Sequence, residues 1–227
     1  PRIAGGEAKI GLALAEVAGA RAGAGVAVSN GRLSGKALAV QDSGAADAFL
    51  VASGRDALWL VQAGASGLSK TSMTSIDRTR ALAELKFDNT EAEPVAGGEA
   101  LVQRALDLAR VGLALDSVGA ADAMFEQAVE YSKQRVQFER VIGSFQGVKH
   151  SLADMITALE PARALVWYAA HAQTAMPRAD AHRLACHAKA HMEKWAGWSP
   201  DTPQKCMVAW ASPMIWACTI GSSASAL

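Results

Sequence analysis

The sequence predicts an α+β protein, with a partial antiparallel β-barrel or sandwich domain first and a helical domain after it. Short β-prone runs recur about every ten residues between residues 24 and 90, as in antiparallel sheets. From Gly97 onwards, apolar residues recur every three or four positions instead, which is typical of amphipathic helices. Residues 195–227 show neither period, so they form a third zone.

The β zone contains one specific turn signal. Asn30-Gly31 separates two apolar runs, and this pair readily takes the positive φ angles of a two-residue hairpin turn. We therefore predict a hairpin there, within a set of strands over Val26–Val28, Ala37–Val40, Phe49–Ala52, Ala57–Val61 and Leu82–Phe87.

Three helices are predicted in the second zone. The first runs from Gly97 to about Gln134, with apolar residues at Leu101, Ala105, Leu108, Leu115 and Val118. The second begins near Ser144, whose hydroxyl is a plausible N-cap, and Pro161 should interrupt and kink it because proline lacks the N–H that the helix needs. The third spans about Ala179 to Met192.

Charge and cysteine content exclude several classes of protein. Lys plus Arg equals Asp plus Glu, at 22 each, so no long-range field favours nucleic acid. The three cysteines, Cys186, Cys206 and Cys218, lack the paired spacing of a zinc or redox site. No apolar run is long enough to span a membrane and Pro1 opens no signal peptide, so we expect a cytoplasmic protein.

One segment carries a specific motif. Residues 131–150 read YSKQRVQFERVIGSFQGVKH, and Leu-Ala-Asp-Met follows at 152–155. This order of Tyr, Arg-x-x-Phe, Ile-x-x-Phe-Gln and Leu-Ala-Asp-Met resembles the C-terminal helical domain of the acyl-CoA dehydrogenases. The resemblance implies part of the middle β domain at 1–95 and an incomplete four-helix bundle domain at 96–194. It also implies FAD-dependent oxidation of an acyl-CoA thioester to its 2,3-enoyl form.

The resemblance implies a flavin half-site at the turn between the first two long helices. Arg135 would hydrogen-bond the FAD pyrophosphate, Phe138 would pack near the adenosine and Gln146 would bind the adenine side of a partner subunit's cofactor. Without the family pattern, Arg135 reads as a solvated arginine at a helix end. The family's glycine after the phenylalanine is Glu139 here, which places a carboxylate beside a phosphate site.

A weaker likeness extends into the β zone. Ala13–Glu16 looks like a worn form of the family's Thr-Glu-Pro turn, and Ala39–Gln41 aligns with its Trp-Ile-Thr strand. Flavin contacts are thus implied at Leu14, Ala15 and Gln41, where the side-chain chemistry has been lost but backbone contacts could survive. Such loss is similar to that in dehydrogenase subunits that work beside a better-equipped partner.

Substrate contact is implied at one arginine. Arg110 lies where relatives place groups that face the acyl-CoA, although it could equally be an outward-facing arginine on a long helix. Some relatives carry a catalytic glutamate one residue earlier, where this chain has Ala109, so the catalytic base stays unknown. The implied partners are an acyl-CoA, an acceptor such as an electron-transfer flavoprotein, and other subunits in a homo- or hetero-oligomer.

The histidines His182, His187 and His191 lie on one predicted helix. We interpret them as a solvated polar face, because the sequence lacks the Glu of a helical zinc motif, and we expect no metal.

The last zone is unlike the rest in composition. Residues 195–227 hold four of the six tryptophans and only two charged residues, Asp201 and Lys205. Read one base out of frame, Lys205–Ala224 permits a Met-His-Gly-Gly string that resembles the family's continuation. We hypothesise a shift of frame near residues 192–194; the alternative is a genuine divergent tail. The family's N-terminal helical domain is also expected to be missing before Pro1.

Overall fold

The computed structural model of the chain describes residues 3, 5–18, 24–74 and 81–196, in which an eight-stranded sheet is followed by three long helices. The chain divides into two compact units, Pro1–Leu106 and Asp107–Leu227. The sheet lies in the first unit. Its elements in chain order are β1 (Ile10–Ala13), α1 (Ala15–Ala18), β2 (Gly25–Ser29), β3 (Arg32–Gln41), β4 (Ala48–Ser53), β5 (Ala57–Gln62), β6 (Leu68–Met73), β7 (Leu82–Glu91) and β8 (Glu93–Val95).

The predicted Asn-Gly hairpin is confirmed. Ser29 of β2 pairs directly with Arg32 of β3, which leaves Asn30 and Gly31 as the two turn residues. Their φ angles are +50° and +74°, the left-handed values that such a turn requires.

The sheet is mixed rather than wholly antiparallel. Its order is β6-β7-β3-β1-β4-β5-β8, with β2 also paired to β3. The pair β1–β4 is parallel, with Ile10 opposite Ala48, and the other pairs in this sheet are antiparallel. A parallel pair needs a long crossover between its strands, and the β2–β3 hairpin lies within the segment that makes it.

Alternating side chains of the strands form the main core of the first unit. Fully or almost fully buried members are Leu33, Val40, Phe49, Val51, Val61, Leu85 and Phe87. Burial of each such side chain is worth about 1.5–3 kcal/mol. A second cluster joins Leu14, Ala52 and Leu58 to Val102 and Leu106.

The second unit is helical. Its helices are α2 (Gly98–Gln134, whose first turns belong to the first unit), α3 (Gln146–Ala175) and α4 (Arg178–Ala196), which confirms the first and third predicted helices. The helices pack through small side chains that allow close approach, among them Ala114, Ala162, Ala169, Ala185 and Ala188, which are completely buried. Arg163 of α3 also donates to Asp122 of α2 at 2.6 Å.

Two details of the second helix differ from the prediction. The N-cap is Phe145 rather than Ser144, whose hydroxyl donates back to the Val141 carbonyl at 2.7 Å. The helix also continues through Pro161, so the predicted interruption is wrong, while the kink stays a prediction. Leu159 and Ala162 on either side of Pro161 are completely buried, and this packing offsets the lost hydrogen bond.

Residues 197–227, which contain most of the hypothesised frame-shifted tail with Cys206 and Cys218, lie outside the described residues. Within the described ranges, no helix is long and apolar enough to cross a bilayer.

Candidate functional site

The predicted flavin half-site lies on a short hairpin that follows α2. Helix α2 passes into β9 (Val136–Gln137) and β10 (Arg140–Val141), then into a 3₁₀ turn over Ile142–Ser144 that leads to α3. Arg135 stands at the junction. Its N–H continues the helical pattern to the Tyr131 carbonyl at 2.9 Å, and its own carbonyl accepts from the Ile142 N–H at 2.8 Å. The backbone of Arg135 is thereby fixed from both sides.

The hairpin turn is built from two residues in a strained conformation. Arg140 pairs with Gln137, so Phe138 and Glu139 form the tip, with φ angles of +52° and +63°. A side chain in this left-handed region costs roughly 1–2 kcal/mol. The glycine that the family pattern has at position 139 is therefore explained by the turn, and Glu139 retains the turn at a conformational cost.

The three residues predicted to bind FAD are brought to one short segment. Arg135, Phe138 and Gln146 are all exposed, and 87% of the Phe138 side chain is accessible. This exposed aromatic ring is available for contact with another molecule. Gln146 begins α3, where the free N–H groups of the first turn attract anions.

Phe145 packs against the tip of the hairpin. Its ring packs edge-to-face against Phe138, with centroids 6.2 Å apart, and the Arg140 guanidinium lies 4.0 Å from its centroid. Both contacts are attractive because the ring face is electron-rich. Gly143 completes the arrangement, since a Cβ there would lie 2.9 Å from the Ser132 carbonyl oxygen.

The first unit brings together the two β segments that were predicted to contact the flavin ring. Leu12 pairs with Gln41, so the residues that follow Leu12 run beside the end of β3. Gln41 is exposed, whereas the Leu14 side chain is 7% exposed and belongs to a hydrophobic cluster. A flavin contact at Leu14 would therefore be limited to its backbone. For Ala15 the structure gives only its position as the first residue of α1.

Ala39, in the same β segment, has a φ of +52° within a break in the β3–β7 register. Such a break in register bends a strand and changes the direction of the side chains that follow it.

Glu16 lies beside these residues. Burial raises the pKa of Glu16 above its ordinary value, although the backbone N–H groups of Val26 and Gly25 lower it by hydrogen bonding to the carboxylate.

Arg110 belongs to a charged cluster in the second unit. Its guanidinium donates to Asp107 at 2.9 Å, and Asp107 is 1% exposed. His182 of α4 also contacts Asp107 at 2.9 Å, and Arg178 lies 4.0 Å from it. His187 and His191 are exposed, as a solvated polar face predicts, whereas His182 keeps 44% of its side chain exposed and also contacts the buried carboxylate of Asp107.

Sequence reasoning missed this cluster. The available signal was an acidic residue, Asp107, in an otherwise apolar stretch of an amphipathic helix. Nothing in the sequence indicated which residues of α4 would face it.

Sequence comparison identifies the helical region. Residues 96–200 match the acyl-CoA dehydrogenase C-terminal domain. This part of the chain belongs to the acyl-CoA dehydrogenase family.

Curated acyl-CoA dehydrogenases support the assignment. The chain is 40% identical over 116 residues to acyl-CoA dehydrogenase IpdE2 of Mycobacterium tuberculosis, which is 51% of this chain and 35% of the relative. It is 31% identical over 174 residues to a short-chain specific acyl-CoA dehydrogenase of Clostridium acetobutylicum, 69% of this chain and 46% of the relative. It is 42% identical over 67 residues, 30% of this chain and 18% of the relative, to subunit CarC of the caffeyl-CoA reductase-Etf complex of Acetobacterium woodii. The chain spans less than half the length of each.

Solved structures agree on the fold. The steroid ACAD variant Tcur3481-Tcur3483 matches with a TM-score of 0.71 and 28% identity over 99% of this chain and 66% of its own. Butyryl-CoA dehydrogenase of Megasphaera elsdenii matches with a TM-score of 0.73 and 22% identity over 99% of this chain and 65% of its own, which shows the fold alone. The chain therefore has a partial acyl-CoA dehydrogenase fold.

Proposed function

We propose that the chain is part of an FAD-dependent acyl-CoA dehydrogenase that forms the α,β double bond of an acyl-CoA thioester. Its division would be a partial middle domain at 1–95 and a helical bundle domain at 96–194. The observation that carries the proposal is the exposed hairpin on which Arg135, Phe138 and Gln146 lie together.

The chemistry of this surface suits a dinucleotide. Residues 135–149 carry three cationic side chains, Arg135, Arg140 and Lys149, against one carboxylate, Glu139. A guanidinium fork matches phosphate oxygens, and an exposed aromatic ring offers a stacking face to an adenosine. When bound, FAD would supply the hydride acceptor of the reaction. The hairpin would hold the cofactor's adenosine diphosphate end and would not touch the reacting carbons.

On the substrate side we propose Arg110 as a contact for the acyl-CoA. Its guanidinium keeps part of its surface accessible while one N–H group donates to buried Asp107. A carboxylate that fixes one edge of a guanidinium leaves the other donors in a defined direction. No residue of the chain is proposed as the catalytic base.

Equilibrium titration of the purified chain with FAD, followed by flavin absorbance, tests the cofactor proposal. Arg135→Gln should weaken binding by roughly tenfold to a hundredfold, since a charge-assisted hydrogen bond contributes about 1.5–3 kcal/mol. Arg183→Gln is the matched control, because Arg183 is also an exposed arginine but lies on α4. Equal affinity of the two variants would contradict a role for Arg135 in cofactor binding.

A second candidate is a non-catalytic partner subunit of a hetero-oligomeric dehydrogenase. It is favoured by Ala15 and Gln41, where family side chains have been lost, and by Glu139, which places a carboxylate beside the phosphate site. FAD content per chain separates the candidates. The purified oligomer should hold one flavin per chain if it is the enzyme, and none until a second chain is added if it is the partner subunit.

We also propose that residues 195–227 are read from a shifted frame. Sequencing the gene across the codons for residues 185–227 tests this directly. An uninterrupted alternative frame that encodes Met-His-Gly-Gly would support the shift, and its absence would leave the tail as a divergent segment of this chain.

A further inference from the structure

Three side chains of the second unit form a chain of contacts, of which the proposed function uses only Asp107, as the partner of Arg110. Asp107 of α2 is 1% exposed, and its Oδ1 lies 2.9 Å from Nδ1 of His182 on α4. Cys186 lies one turn further along α4, with its Sγ 3.9 Å from both ring nitrogens of His182. The order is carboxylate, imidazole, thiol.

The buried carboxylate decides how His182 can act. Asp107 also accepts a hydrogen bond from the Arg110 guanidinium at 2.9 Å, and a carboxylate can only accept. Nδ1 of His182 must then donate to Asp107 and carry the proton. In the neutral imidazole this leaves Nε2 as the acceptor nitrogen, which is the nitrogen that can take a proton from a neighbouring thiol.

The position of Cys186 gives the thiol access to reagents. Cys186 is half-buried, and His182 beside it keeps 44% of its side-chain surface accessible. A thiol attacks electrophiles as the thiolate, so a proton acceptor at contact distance assists the attack.

We propose that Cys186 is a modification site for low-molecular-weight disulfides, with His182 as the general base and Asp107 as a positioning residue. The Cys186 sulfur attacks one sulfur of the disulfide while its proton moves to Nε2 of His182. A new S–S bond forms, the old one breaks, and the leaving thiolate takes the proton from His182. The products are a mixed disulfide on Cys186 and one free thiol.

Disulfides fit this cluster better than acyl groups do. Thiol–disulfide exchange requires a thiolate, access and a proton acceptor. Acyl transfer also requires donors directed at a developing oxyanion. The three residues supply what exchange needs, and the inference is independent of flavin binding at the hairpin.

The test is the rate at which Cys186 of the full chain reacts with oxidised glutathione, followed by peptide mass spectrometry so that Cys206 and Cys218 are scored separately. His182→Asn should slow the reaction of Cys186 by on the order of a hundredfold, at the low end of general-base effects. His187→Asn is the matched control, since His187 is adjacent to Cys186 and exposed. A change of less than about threefold in His182→Asn would overturn the proposal.

The positioning role has its own spectroscopic readout. The ¹⁵N shifts of His182 should show Nδ1 protonated in the wild type, and Asp107→Asn should remove that preference along with most of the rate. An unchanged tautomer in Asp107→Asn would refute the role of Asp107.

Discussion

Two Asp–Arg pairs of the helical unit differ in little except burial, and they should therefore differ strongly in energy. Asp107–Arg110 and Asp180–Arg183 have the same i,i+3 spacing and the same 2.9 Å contact. Asp107 is 1% exposed and Arg110 30%, whereas Asp180 is 43% exposed and Arg183 66%. Only the first pair has a partner removed from water.

The expected magnitudes follow from that difference. A hydrogen bond to a charged group with a buried partner contributes about 1.5–3 kcal/mol, and the access that Arg110 keeps to solvent places it near 1.5–2 kcal/mol. The exposed pair should contribute about 0.2–0.5 kcal/mol. Asp107→Ala alone should cost roughly 3–5 kcal/mol, because it also strips His182 and Arg178 of their shared carboxylate.

Double-mutant cycles measure the pair energies separately from the other roles of each residue. Urea denaturation followed by circular dichroism gives the free energy of unfolding for both single alanine variants and the double variant of each pair. The cycle removes the helix-dipole contribution of Asp180, which lies in the first turn of α4. Coupling energies that agree within about 0.3 kcal/mol would refute the argument from burial.

Three further predictions concern single positions. Glu139→Gly should raise the free energy of unfolding by about 0.5 kcal/mol. The reason is that relief of the left-handed backbone strain at residue 139 exceeds the conformational entropy that glycine adds to the unfolded chain. Unchanged or lower stability in urea would contradict this. Gly143→Ala should lower the free energy of unfolding by about 1–3 kcal/mol, because the new Cβ would crowd the Ser132 carbonyl. A thermal melt that matches wild type would contradict this, since it would mean that the turn adjusts to the Cβ without a loss of stability. Burial raises the pKa of Glu16, so the folded state binds this proton more tightly and the contribution of Glu16 to stability falls as pH rises above the ordinary glutamate pKa. The stability of Glu16→Gln relative to wild type should therefore increase as pH rises through that range, and a constant difference would contradict this.

Local signals predicted those parts of the fold that local chemistry determines. The Asn30-Gly31 turn followed from backbone preference, and the long helices followed from apolar periodicity. The N-cap at Ser144 and the interruption at Pro161 were predicted wrongly. Ser144 lies in a 3₁₀ turn that precedes α3, and buried neighbours hold the helix together across the proline.

The candidate site residues also divide into those that local sequence predicted and those that only the fold brings together. The motif gave Arg135, Phe138 and Gln146 as a linear segment, and they do lie on one hairpin and the helix start after it. The cluster of Asp107, His182 and Cys186 was not visible, because it joins residues about 75 positions apart along the sequence. Only the packing of α4 on α2 brings them together.

Hydrogen exchange of the chain with and without FAD maps where the cofactor binds. We predict that FAD slows exchange of the backbone amides in residues 135–149, where the hairpin and the first turn of α3 lie. Unchanged exchange over 135–149 at saturating FAD, or protection confined to other segments, would contradict the claim that this hairpin holds the cofactor.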